Sequence, residues 1–223
     1  MEKANKYFDT LYDNVPGYIF GLLTFAVGFS SFIIALILSP DYVMWEKSIS
    51  VLGHKKGGIF SRMGLIISNT LAIPFIIYLA RTLKDENVSE KVRKVAIGAG
   101  IFISVNAVLT GAVSGGTLSS WHGLFALLSW MGGNVVCSIF GYLMLKNPKF
   151  SKSASYFSIG VAVIFGSYLI PFFITNFCSA FPEICKTFGD KVYTIMPIYE
   201  WVVMFSILFW YLFYSIYILY KKI

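Results

Sequence analysis

Residues 18–38 read Tyr18-Ile19-Phe20-Gly21-Leu22-Leu23-Thr24-Phe25-Ala26-Val27-Gly28-Phe29-Ser30-Ser31-Phe32-Ile33-Ile34-Ala35-Leu36-Ile37-Leu38, a run of 21 residues without one charge. A helix that crosses a bilayer needs about 20 such residues. The run lacks the period-two alternation of a membrane strand, so a helix is expected. Five further stretches share the pattern, at residues 59–80, 95–113, 118–145, 156–175 and 197–220. The expected fold is therefore all-α: a single polytopic domain over residues 1–223 with six transmembrane helices. The first seventeen residues are polar, and no small-residue cleavage site follows the first run. That run reads as a retained span and not as a removable signal peptide.

Composition supports this. Of 223 residues, 57% are hydrophobic and 13% charged; soluble domains carry about 25% charged residues. A water-soluble fold of this size has too little interior to hide so much apolar surface. The net charge of +7 would suggest nucleic acid in a soluble chain. Here the cations sit in short loops between apolar runs, where membrane lipids are the expected partners and nucleic acid is not. Twelve Lys and Arg fall on the side of the termini and six on the other. Positive residues favour the cytoplasm, so both termini are expected there, in a multi-pass protein of the cell membrane.

The three loops on the other side, residues 39–58, 114–117 and 176–196, hold most of the unusual chemistry. In the first, Ser39-Pro40-Asp41 has the form of a helix start. Tyr42, Trp45, Ile49 and Leu52 then recur at helical spacing and Gly53 suits a C-terminal cap. A short amphipathic helix is expected, either anchored in the headgroup layer or folded over the bundle mouth.

The run Ser48-Ile49-Ser50-Val51-Leu52-Gly53, followed by Arg62, a span reaching Ala80-Arg81, a Gly-rich turn and His122, resembles a prokaryotic membrane family. That family is called "domain of unknown function 998" and is distantly similar to the six-helix damage-regulated autophagy modulator proteins. The resemblance covers about residues 15–220 and implies six helices and no established activity. The family loop usually reads Ser-Ile-Ser-Glu-Leu-Gly; Val51 stands here where the Glu would be.

Ionisable groups in or beside spans are costly and often functional. Glu46, Arg62, His122 and Glu200 fall near the outer boundary and are the candidate ligand-binding residues. Arg62 opposes the dipole of its helix, so it calls for an acidic partner or a lipid phosphate, or else snorkels to the headgroups. Glu200 and Glu46 are the candidate acids. Glu200 also suits simple dipole capping. His122 is either a structural hydrogen-bonder or a base, with Ser48, Ser50 or Ser120 as its nucleophile. No nucleophile-elbow pattern surrounds these serines. No metal site is expected, because His54 and His122 are the only histidines and lie far apart in sequence; a zinc site using both plus a carboxylate is a minor option. No cofactor is expected.

Asn69, Asn106, Asn134 and Asn176 are expected to bond between helices for the most part. Gly100 and Ser104, and then Ala107, Gly111 and Gly115, put small residues on the third span at helix-packing spacing, with Gly132 and Gly133 helping the fourth span meet it. A homo-oligomer face is their secondary use. Cys178 and Cys185, in the last outer loop, are expected to form a disulfide, and Cys137 to stay buried. Trp201, Phe205, Phe209, Trp210, Tyr211, Phe213, Tyr214, Tyr217 and Tyr220 make the sixth span aromatic, a face expected to meet lipid. Three functions follow in order of preference: binding a lipid headgroup or small amphiphile at the outer mouth, a membrane-embedded hydrolase or transferase using His122, and a transporter. The last ranks lowest because the halves show no inverted repeat.

Overall fold

A computed structural model describes residues 2–113 and 119–223, leaving the Gly-rich turn 114–118, and with it the second of the three loops on the side away from the termini, outside the described residues. Helices α1 (Glu2–Asn14), α2 (Gly17–Ile37), α3 (Ile49–Leu52), α4 (Gly58–Thr82), α5 (Glu90–Ala112), α6 (Ser119–Lys146), α7 (Lys152–Ala180), α8 (Pro182–Tyr193) and α9 (Met196–Lys221) follow in order, with no strand among the described residues. Six of them, α2, α4, α5, α6, α7 and α9, are long and apolar enough to cross a membrane. The chain is a multi-pass membrane protein built as a helical bundle.

Two of the spans start at capping serines. Ser89 Oγ accepts the Val92 N–H, so α5 begins five residues before its apolar run. Ser151 does the same for Ala154 and extends α7 backward. At its other end α7 runs through Pro171 to Ala180. Each span packs on its chain neighbours, and α9 returns to α2, closing a six-membered ring. An even number of spans brings α1 and the end of α9 to one face. There α1 is tied to the bundle: Tyr12 Oη donates to the Pro74 carbonyl at 2.7 Å, and Arg81 pairs with Asp9 at 2.6 Å.

The ring is filled by aromatic side chains on the half nearer the termini. This corrects the expectation that the aromatic face of the sixth span meets lipid. Trp201, Trp210, Tyr211 and Tyr214 are buried; Phe209 and Tyr220 are exposed. The buried ones find partners for their polar tips. Trp210 Nε1 donates to Ser158 Oγ at 2.9 Å, and Tyr214 Oη to the Ala154 carbonyl at 2.6 Å. A bulky ring with one satisfied polar atom fills the axis of a helix ring better than an aliphatic chain does. Phe75 of α4 and Phe140 of α6 meet Trp210 edge-on and complete this plug.

The small-residue stripe of α5 packs inside the bundle. A Cβ on Gly100 would meet Ile76 of α4, and one on Gly111 would meet Leu65, Ile66 and the Arg62 carbonyl of α4. Gly132 does meet α5, at Ile103, but Gly133 faces Phe165 of α7. Among the described residues, Asn134 bonds to another helix, at the Ala162 carbonyl. Asn69, Asn106 and Asn176 each donate to the carbonyl four residues back in their own helix. In a helix that carbonyl is the nearest acceptor, and it needs no partner helix in register.

Candidate functional site

The loop after α2 is shorter in helix than its spacing suggests: residues 40–48 form turns and only Ile49–Leu52 is helical. Ser39 is not an N-cap there. Its hydroxyl instead accepts the Gly57 N–H at 3.0 Å, closing the base of the loop. Gly57 and Gly58 are required at this closure, because a Cβ on either would strike the Ala35 or Gly53 backbone. Tyr42 turns inward and donates to the Lys47 and Ser48 carbonyls at 2.7 and 3.0 Å, which bends the chain and stops a longer helix. Burial raises the Tyr42 hydroxyl to about 12, so it stays a donor across the physiological range. Trp201 Nε1 in turn donates to its oxygen at 3.2 Å. Trp45 points away and is 61% exposed.

This folded loop places α3 over the open end of the ring. Glu200, one turn into α9, holds it there: one carboxylate oxygen accepts the Ile49 N–H at 2.8 Å, and the other accepts from Tyr168 at 3.3 Å. The next residue, Ser50, then lies against His122, with Oγ 3.0 Å from Nε2. His122 Nδ1 sits 3.0 and 2.8 Å from the Thr110 and Val113 carbonyls at the end of α5. Both are acceptors only, so Nδ1 carries the hydrogen and Nε2 presents its lone pair to Ser50. His54 Nδ1 lies 2.9 Å from the Ser50 carbonyl.

Below the lid is a cavity of about 480 Å³, inside the range of roughly 300–1,000 Å³ usual for small-molecule sites. It reaches from Glu200 to Tyr211 along α9, about 16 Å at helical rise. Its rim holds Ser50, His54, Arg62, His122 and Glu200; its depth is lined mainly by apolar groups such as Ile103, Leu127, Phe165 and Ile207. Asn69, Ser61, Thr110 and Ser129 add a few polar atoms. Part of the cavity wall is exposed on α6 and α7. On α6, Gly123, Leu127 and Trp130 share the face that packs on α7 lower down, through Asn134 and Gly133. Nearer α3 that face lines the cavity together with Phe172 and Asn176 of α7, and Leu124 and Asn176 are exposed. No residue of α6 between Trp121 and Met131 is buried.

Of the residues singled out from the sequence, Arg62, His122, Glu200 and Ser50 converge on this cavity. Glu46 does not: it is exposed in the turn before α3. Ser48 precedes α3 outside the cavity lining, and the side chain of Ser120 lies outside the described residues. Glu200 spends both oxygens on Ile49 and Tyr168. Tyr168 and Trp130, whose rings meet at a tilt with centroids 4.3 Å apart on the cavity wall, were not marked by any sequence signal beyond being two aromatics among many. Cys178 and Cys185 form a disulfide that joins the end of α7 to α8. Cys137 is free and buried. Among the described residues, no three of His, Cys, Asp and Glu gather as a metal site. No protein-family model, curated protein or solved structure matches this chain.

Proposed function

We propose that the protein binds a single-chain amphiphile drawn from the membrane, with its head at the rim and its chain in the cavity. The observation that carries this is the polarity of the cavity: charge and hydrogen-bonding groups at Arg62, Ser50 and His122, apolar walls down to Tyr211. An ionic headgroup suits the cation at the rim. A chain suits a space whose deep surface offers few hydrogen bonds. In this reading the exposed lining at Leu124 of α6 and Asn176 of α7 marks the route of entry, which a lipid reaches without leaving the bilayer. In the same reading the termini are cytoplasmic and the mouth faces outward, as the distribution of Lys and Arg favours. Reporter fusions at the two termini and in the loop 39–57 test this orientation. A cytoplasmic signal from the loop fusion would reverse it.

Native mass spectrometry of the detergent-purified protein tests binding. The wild type is expected to carry a lipid-sized adduct. Arg62→Ala is expected to retain it about tenfold less well, the loss of one charge-assisted contact. Ala126→Trp, which puts bulk into the cavity from α6, is expected to lose it. A wild type with no adduct, or an adduct equally retained by both variants, would overturn the proposal.

A further inference from the structure

We propose that Ser50 is a nucleophile with His122 as its base, and that the amphiphile held in the cavity is an acyl ester cleaved there. This rests on the binding site proposed above but makes a separate chemical claim. The Ser50 Oγ to His122 Nε2 distance of 3.0 Å is within the reach required of a nucleophile and its base. A third group orients the base, here the Thr110 and Val113 carbonyls in place of a carboxylate. These fix the tautomer that leaves the Nε2 lone pair free to take the serine proton. They also belong to the C-terminal end of α5, where the helix dipole is negative. An imidazolium formed at His122 is therefore stabilised by groups already in place.

Ser50 lines the cavity and is exposed, so a bound molecule can reach its hydroxyl. A chain lying in the apolar depth brings its ester carbonyl to the rim, where Ser50 stands. Arg62 is the cation of that rim, and its charge favours an oxyanion there.

The step balances without a cofactor. Ser50 Oγ bonds to the ester carbonyl carbon as its proton passes to His122 Nε2. The tetrahedral intermediate collapses, the C–O bond to the alcohol breaks, and the leaving oxygen takes the proton back from Nε2. Water then adds to the acyl-Ser50 carbonyl and gives a proton to Nε2. The bond to Ser50 breaks, Oγ recovers that proton, and a free acid departs.

The test uses a fluorophosphonate probe and p-nitrophenyl octanoate on the detergent-purified protein. The expected result is an adduct on Ser50, found by peptide mass, and release of p-nitrophenol. Ser50→Ala should give neither, and His122→Ala should slow labelling at least about 100-fold, the usual contribution of a general base. Retained lipid, measured in the same samples, separates the two proposals. Lipid retained without labelling or ester turnover would remove the nucleophile and leave the binding site standing, with Ser50–His122 a latch. Labelling at another residue, or at an unchanged rate in His122→Ala, would also overturn the assignment. A Ser50→Ala variant that keeps its lipid and its melting temperature excludes misfolding as the cause of lost labelling.

Discussion

Glu200→Ala is expected to release the lid while the bundle stays folded. The carboxylate is the acceptor for the Ile49 N–H, the first amide of α3, and for the Tyr168 hydroxyl. Removing it leaves both donors without their acceptor in a part-buried setting. Stranding a donor costs about 1–3 kcal/mol. At about 1.4 kcal/mol per tenfold, the opening equilibrium of α3 shifts by roughly 5- to 150-fold. Hydrogen exchange at residues 48–54 should speed up by that factor, and the Ser50–His122 contact should loosen with it. Bound amphiphile should dissociate faster in the same proportion. Glu200→Gln keeps a carbonyl oxygen for Ile49 and should fall between the two. The rest of the loop stays in place, because Tyr42, Trp201, Ser39 and Gly57 hold its base independently. Unchanged exchange in Glu200→Ala would mean that α3 is held by its apolar contacts alone.

The second large effect is on stability. Trp210 is 1% exposed and meets Phe75, Phe140, Tyr211 and Tyr214 at the axis of the ring. Phe or Trp to Ala in a soluble core costs about 3–5 kcal/mol. In a membrane, part of that falls away, since lipid is as apolar as the protein interior. The lost packing and the lost Nε1 bond to Ser158 remain. Trp210→Ala is therefore expected to destabilise by about 2–4 kcal/mol, read from unfolding in mixed micelles. Trp210→Phe keeps most of the volume and should cost about 1 kcal/mol, the value of one hydrogen bond. Phe209→Ala, one residue away and half-exposed where its ring meets Phe25 and Phe29 of α2, should cost clearly less. An equal effect at Phe209 and Trp210 would contradict the aromatic plug.

The six spans were legible because about 20 apolar residues in a row have few other uses. Their ends were less so: Ser89 and Ser151 cap helices from inside polar segments, where apolar runs are silent. Helices α1 and α8 fell in stretches that read as polar ends or loops, although Pro182 and Glu183 open α8 in the usual way. The aromatic residues of α9 were assigned to lipid because ring type alone does not separate a lipid face from a packed axis. Only their distant partners, Ser158 and Ala154, decide it.

The site was legible in part for a similar reason. Arg62, His122 and Glu200 stand out as ionisable groups at membrane boundaries, and they do gather at one mouth. Glu46 has the same character, yet the turn made by Tyr42 leaves it outside. The pairing of Ser50 with His122 spans 72 residues and depends on where Glu200 seats Ile49. Sequence offers the two residues and not the distance between them.

Photo-crosslinking with a fatty acid carrying a diazirine on its chain tests the central claim, an amphiphile inside the bundle, most directly. Adducts are expected on the cavity wall, at Ile103, Leu127 or Ile207, and should disappear in Ala126→Trp. Adducts confined to the exposed outer faces, at residues such as Phe102, Val163 and Ile170, and unchanged in that variant, would contradict it.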